Sequence, residues 1–197
     1  MKLSKIILPI VCLCTLASCG IKTTKEKYLE SMAQCEDHQF KTIVIDYIYE
    51  NNSSRCEIKI TYTFKNNAYE PDEINSFSTS LIEYTKRDTS FIKEAEEDFE
   101  SYSEVARATD IDAKIDREIV YRVDPFQVKG SFKSSFKYDS YKISGAKKRN
   151  FTYEHNKYGY LTLLEDTYSY EYTETKNGIK EETDLNEYRK IKISYND

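Results

Sequence analysis

Residues 56–65, CEIKITYTFK, alternate between apolar and polar side chains without a break. Such period-two alternation is typical of a β-strand with one buried face and one solvated face. Residues 40–49 are rich in Ile, Val and Tyr, which favour strands, and residues 51–54 (NNSS) between the two segments are typical of a turn. The two segments therefore predict an antiparallel hairpin.

Further strands are predicted along the rest of the chain. Residues 167–175 (TYSYEYTET) alternate again, and Asn177-Gly178 after them is a strong hairpin signal. The other predicted strands cover residues 77–86, 115–123, 126–133, 136–143, 150–154, 158–164 and 188–195.

Two helices are expected among these strands. Thr23 and Glu26 have the spacing of a capping box and predict a short helix over roughly residues 24–36. The apolar residues that begin with Phe91 and Ala95 continue at spacings of three and four and predict one long amphipathic helix. The fold-class prediction is therefore α+β, an antiparallel β-sheet meander with one long amphipathic helix packed on one face and a short N-terminal helix.

The N-terminus has the layout of an export signal. Two lysines precede an apolar run from Ile6 to Leu16, which is about half the roughly twenty residues needed to span a bilayer. Leu16-Ala17-Ser18-Cys19 at its end resembles a bacterial lipobox. The resemblance implies a signal peptide over residues 1–18 and a lipid on Cys19; the alternative is an ordinary secretory signal with an unmodified Cys19.

This N-terminus organises the remaining predictions about the chain. Residues 19–24 are expected to be a tether and residues 25–197 a single Tyr-rich domain. The expected location is the bacterial cell membrane, with the domain outside the cytoplasm and held by lipid. The formal net charge of −5 argues against a nucleic-acid partner, and the 18 Tyr and 9 Phe argue against a disordered chain.

Two cysteines remain in the predicted domain. Export to an oxidising compartment favours a structural disulfide between Cys35 and Cys56, which would close a loop of about twenty residues and contribute roughly 3 kcal/mol. A redox pair is the alternative, although the spacing differs from C-x-x-C.

Few residues suggest catalysis or metal binding. His38 and His155 each stand alone in the sequence, so no metal site and no cofactor are predicted. Asp110, Asp112 and Asp116 are the most suggestive acids, as an acidic loop that offers oxygen ligands to Ca²⁺ or as a merely polar loop.

Part of the chain resembles a known group of proteins. Ile58-Lys59-Ile60-Thr61-Tyr62-Thr63-Phe64-Lys65 is followed by a polar loop, the predicted strand 77–86, the helix 90–107 and the strand 115–123. This order, over roughly residues 55–128, resembles small bacterial lipoproteins of the YehR type. The role of those lipoproteins is uncharacterised, so the resemblance implies a lipoprotein but no functional residues.

Two functional hypotheses follow from these observations. The first is a non-enzymatic surface or periplasmic module that binds an envelope protein or a small ligand, and it requires exposed aromatic side chains. The second is a cell-envelope hydrolase that acts on wall or glycan through paired carboxylates, and it requires a cleft with two facing acids.

Overall fold

A single eight-stranded antiparallel sheet dominates the structure. The computed structural model describes residues 22–87, 89–108, 112–138 and 142–197. The strands are β1 (Thr42–Asn51), β2 (Arg55–Lys65), β3 (Ala68–Pro71), β4 (Asp112–Arg122), β5 (Gln127–Tyr138), β6 (Ile143–His155), β7 (Leu161–Lys176) and β8 (Ile179–Asn196). They lie in the order β3-β2-β1-β8-β7-β6-β5-β4, so the last strand inserts beside the first.

The helices are a minor part of the described residues. They are α1 (Thr24–Ala33), α2 (Ser76–Leu81), a 3₁₀ turn (Ile82–Thr85) and α3 (Ser90–Ala108). None of the helices in this part of the chain is both long and apolar enough to cross a membrane.

The α+β prediction, with one long amphipathic helix on one face of a meander, is wrong. More than half of the described residues lie in one sheet, and three helices cover different parts of it. The helix predicted after residue 90 has a counterpart in α3, but α3 packs near β4, β5 and β6 and leaves the β1–β2 side to α2. The sheet, and not a helix layer, therefore determines the architecture.

Residues 77–86 form α2 and the 3₁₀ turn and not the predicted strand. Asn75 caps α2, because its side chain accepts the backbone N–H of Ser78 while the Ser78 hydroxyl accepts that of Asn75, both at 2.9 Å. Ser78 and Leu81 then lie on the buried side of the helix. This reciprocal cap outweighs the strand preference of the Thr, Ile and Tyr residues that follow.

The predicted hairpin between β1 and β2 and the predicted turn at Asn177-Gly178 are confirmed. Ile45 pairs with Ile60 across β1 and β2, and the predicted turn between the strands is present. At the β7–β8 turn, Asn177 and Gly178 both have positive φ, 51° and 79°, as a two-residue hairpin loop requires.

Several short predicted strands are in fact longer continuous ones. Ser134 and Ser135 lie between the predicted strands 126–133 and 136–143, yet β5 runs from Gln127 to Tyr138 without a break. Gly130 faces the ring of Phe151, and Gly145 faces the ring of Phe136, so aromatic side chains from the neighbouring strand cover both glycines. A Cβ on Gly130 would lie 2.2 Å from the Phe151 ring.

One face of the sheet, called the inner face here, carries the core. The buried inner-face residues include Ile43, Ile45, Ile60, Tyr62, Tyr121, Val128, Phe132, Phe151, Tyr153, Leu164, Ile191 and Ile193, and the helices add Tyr28, Met32, Leu81, Ile92 and Ala95. Burial of this apolar surface is the main stabilising contribution. The opposite, outer face is polar, with exposed pairs such as Lys59 with Asp46.

Helix α1 is fixed to the sheet through a buried polar pair. Thr23 and Glu26 form the predicted capping box, and Tyr28 of α1 is fully buried against Tyr121 and Phe126. The Tyr28 hydroxyl lies 3.0 Å from Nδ1 of His155, whose side chain is 6% exposed. Nε2 of that histidine has no hydrogen-bond partner among the described residues.

Candidate binding cleft

The inner face changes from apolar to polar along the length of the strands. In β1, Ile43 and Ile45 are buried, whereas Tyr49, further along the same face, is half-buried. The described contacts of α2 and the 3₁₀ turn with β1 reach Tyr47 but not Tyr49. The inner face is therefore less buried at Tyr49 than at Ile43 and Ile45.

Strand register gathers charged and aromatic side chains on this polar half. Tyr49 pairs with Arg189, Arg189 with Asp166, and Tyr168 with both Glu187 and Arg149. Antiparallel partners project on the same side of a sheet, so these side chains from four strands face the same space. With Asp98 of α3 they line a cavity of about 310 Å³, which we call the cleft: Tyr49, Asp98, Arg149, Asp166, Tyr168, Glu187 and Arg189.

Arg149 and Asp166 form the centre of the cleft. Arg149 donates from Nε and Nη2 to the two carboxylate oxygens of Asp166, at 3.1 and 2.9 Å, in a bidentate pair. Nη1 of Arg149 donates to Asp98 at 2.6 Å. The Arg149 and Asp166 side chains are only 16% and 10% exposed, so the pair is shielded from solvent.

The electrostatics of this pair keep Arg149 charged. Burial alone lowers the pKa of the Arg149 guanidinium, but the hydrogen bonds and the charge of Asp166 outweigh it, so the pKa is raised above its ordinary value. Arg149 therefore acts as a fixed cation that holds Asp98 and Asp166 in place.

Arg189 is the more accessible guanidinium. Its side chain is 37% exposed, and its hydrogen bond among the described residues is a long one, from Nη2 to Asp166 at 3.5 Å. A guanidinium carries five N–H donors, so most of those on Arg189 point to no protein acceptor within the described structure. Arg189 is thus the cleft group best placed to bind a ligand.

Tyrosines form the walls of the cleft. The Tyr49 hydroxyl donates to Glu187 at 3.2 Å and accepts from the Asn51 amide at 3.3 Å. Tyr170 continues the β7 face beyond Tyr168, with Lys147 lying 5.3 Å above its ring centroid. Burial lowers the pKa of this lysine. The tyrosines on this half of the sheet are thus half-buried.

The predicted cysteine pair is not bonded. Cys35 and Cys56 are free thiols, and Sγ of Cys35 donates to the carbonyl oxygens of Ser31 and Lys157, at 3.4 and 3.6 Å. Cys35 thus lies beside the β6–β7 turn, whereas Cys56 pairs with Tyr49 near the other end of the sheet. The predicted disulfide is therefore wrong, because the Cα atoms of bonded cysteines must lie within about 7 Å of each other.

The predicted acidic loop is also not formed as expected. Asp112 and Asp116 belong to β4, and Asp116 is exposed there, while Asp110 lies outside the described residues. Within the residues that the structure describes, no three His, Cys, Asp or Glu side chains are arranged to hold a metal ion. Cys19, the predicted lipid site, also lies outside the described residues.

The residues of the cleft were not singled out from the sequence. A signal was present, because the Asn177-Gly178 turn pairs Lys176 with Ile179, and the same register continued along the hairpin places Asp166 opposite Arg189. The pairing of β1 with β8 and of β6 with β7, which completes the cleft, has no comparable local signal.

Comparison with protein-family models, with curated proteins and with solved structures gives no match for this chain.

Proposed function

We propose that this protein is a membrane-anchored bacterial lipoprotein that acts as a non-enzymatic binding module outside the cytoplasm. Its binding site is the cleft on the polar half of the inner face. The single observation that carries this proposal is Arg189, a half-exposed guanidinium with most of its donors unpaired, set between the tyrosine walls of the cleft. A concave site with a few convergent polar groups is the usual form of a small-ligand site.

The state of the carboxylates favours binding over catalysis. Hydrolysis through paired acids needs one carboxyl group to give a proton and a second to act as base or nucleophile. In the cleft, Asp166 accepts hydrogen bonds from two arginines, Asp98 pairs with Arg149, and Glu187 accepts from Tyr49. Each of these carboxylates is thus already engaged by a neighbouring side chain, so we do not propose the hydrolase alternative.

The anchor is supported by the sequence of the first residues. Two or more acyl chains on Cys19 would hold the protein stably, since each buried methylene contributes about 0.8 kcal/mol. The first residue of α1, Thr24, follows Cys19 by five positions, so the domain would sit close to the bilayer.

Mass spectrometry after mild cross-linking of native membranes tests both parts of the proposal. We expect a mature chain that begins at a lipid-modified Cys19, together with a bound envelope protein or small ligand. A Cys19→Ser chain should move to the soluble fraction, and its cleft should be intact. A mature chain that starts elsewhere, or that lacks the lipid mass, would contradict the anchor; cross-links confined to the outer face would contradict the binding site.

A further inference from the structure

We propose that the cleft binds a sugar acid, that is, a hydroxylated ring that carries one carboxylate, as in a uronic acid unit of an acidic glycan. This inference rests on the proposed function of the cleft as a binding site and specifies what it binds.

The carboxylate of the ligand is assigned to Arg189. A planar guanidinium matches a carboxylate through two parallel N–H donors. Arg149 cannot take this role, because Asp166 and Asp98 already accept from three of its nitrogens. Arg189 has one long contact to Asp166 and is the more exposed of the two.

The charge balance of the cleft disfavours a doubly charged anion more than a singly charged, hydroxylated one. Two arginines face three carboxylates, those of Asp98, Asp166 and Glu187, so the cleft is not a strongly positive site. A doubly charged phosphate would meet repulsion from these acids at short range. Hydroxyl groups, in contrast, donate hydrogen bonds and find acceptors in the carboxylates of Glu187 and Asp98.

The walls suit a ring with an apolar face. Tyr49 and Tyr168 line the cleft, and a tyrosine ring can cover the C–H face of a sugar while its hydroxyl remains polar. The volume of about 310 Å³ lies at the small end of the range for ligand sites and suits one or two sugar rings. Tyr170 and Tyr172, with ring centroids 6.1 Å apart, continue the same face along β7 and offer a path for a longer glycan.

Isothermal titration of the purified full chain in mild detergent tests the inference with defined probes. The probes are D-glucuronic acid, a tri-galacturonic acid, D-glucose and inorganic phosphate. We expect binding of both acids, tighter for the trisaccharide, and at least tenfold weaker binding of glucose and phosphate. Arg189→Gln should weaken the binding of the acids at least tenfold.

Lys192→Gln provides the matched control. Lys192 lies on the same strand as Arg189, and its replacement by Gln removes the same positive charge. Lys192 is exposed, however, and projects from the outer face. This variant should bind the acids within twofold of the parent chain, and circular dichroism should show both variants folded.

The outcomes separate the inference from the proposed function. If phosphate or glucose binds as tightly as the sugar acids, and Arg189→Gln still weakens that binding, the sugar-acid assignment would be overturned. The cleft would remain a binding site. If the sugar acids bind Arg189→Gln and Lys192→Gln with the same affinity, both the sugar-acid assignment and the cleft as the binding site would be overturned. Acids that fail to bind the parent chain, while membrane cross-links still map to the cleft, would overturn the ligand class alone.

Discussion

Acidification to pH 5 should weaken the fold through one buried histidine. His155 is 6% exposed, its Nδ1 lies 3.0 Å from the Tyr28 hydroxyl, and the ring of Phe91 stacks on it with centroids 5.9 Å apart. Burial disfavours the charged imidazolium and lowers the pKa of His155 from 6.5 to about 4. Protonation therefore requires the histidine to leave its position between α1 and the sheet.

The sign and the size of the effect follow from this pKa difference. Between pH 6.5 and 4 the unfolded chain binds a proton at His155 that the folded chain does not. The contribution to stability is thus complete above pH 6.5, is lost progressively as the pH falls from 6.5 to about 4, and does not change further below that. A difference of this size amounts to about 3 kcal/mol in total, of which about 2 kcal/mol is lost between pH 7 and pH 5.

Urea denaturation followed by circular dichroism at pH 7 and pH 5 measures the loss. In His155→Gln the amide can still accept from Tyr28 but does not titrate, so we expect the pH-dependent loss to shrink by about 2 kcal/mol. His38→Gln is the control, because His38 is at the surface, 2.7 Å from an Asp197 carboxylate oxygen, and its removal should leave the His155 contribution unchanged. A loss of equal size in the parent chain and in His155→Gln would refute the reasoning.

Two further substitutions test the sheet by the same denaturation assay. Gly130→Ala puts a Cβ against the buried Phe151 ring and should lower the free energy of unfolding by about 2 kcal/mol. Adding Phe151→Leu should recover part of this loss. If Gly130→Ala has no effect on stability, the Phe151 ring moves freely. Asp166→Asn removes the main partner of the buried Arg149 and should cost about 3 kcal/mol. Asp46→Asn, in an exposed pair on the outer face, should cost less than about 1 kcal/mol, and equal losses would contradict the importance of burial.

Local patterns predicted the pieces of this fold better than the whole. Alternation along residues 56–65 and the Asn177-Gly178 turn fixed two hairpins, because the spacing of side chains and the turn geometry are both local. Residues 77–86 were assigned wrongly because the cap of Asn75 on Ser78 competes with strand preference. The early part of β6 was missed because Gly145 interrupts the pattern, and only the neighbouring strand supplies the Phe136 ring that covers it.

The site was harder to predict than the fold, for a related reason. Tyr49 and Arg189 lie 140 positions apart in the chain and meet because β8 pairs with β1. Asp98 joins from a helix that approaches a different strand. Each of these residues is unremarkable in its own segment, where a charged or Tyr side chain suggests only solvent exposure. Long-range strand pairing, which local alternation does not encode, creates the cleft.

The proposed anchor and the cleft occupy different parts of the molecule, and this separation bears on how binding would work at a membrane. From Cys19 to Thr24 the chain spans at most about 17 Å, so lipid on Cys19 would keep α1 close to the bilayer. Helix α1 packs on β4 through Tyr28 with Tyr121, on α3 through Lys25 with Glu96, and on the His155 end of β6. The β6 residue that lines the cleft is Arg149, six positions before His155. Helix α1 therefore contacts the domain at residues other than those that line the cleft. We expect a Cys19→Ser chain to bind a cleft ligand as tightly as the anchored chain does, because the lipid would raise the local concentration of the site at the envelope and leave its shape unchanged.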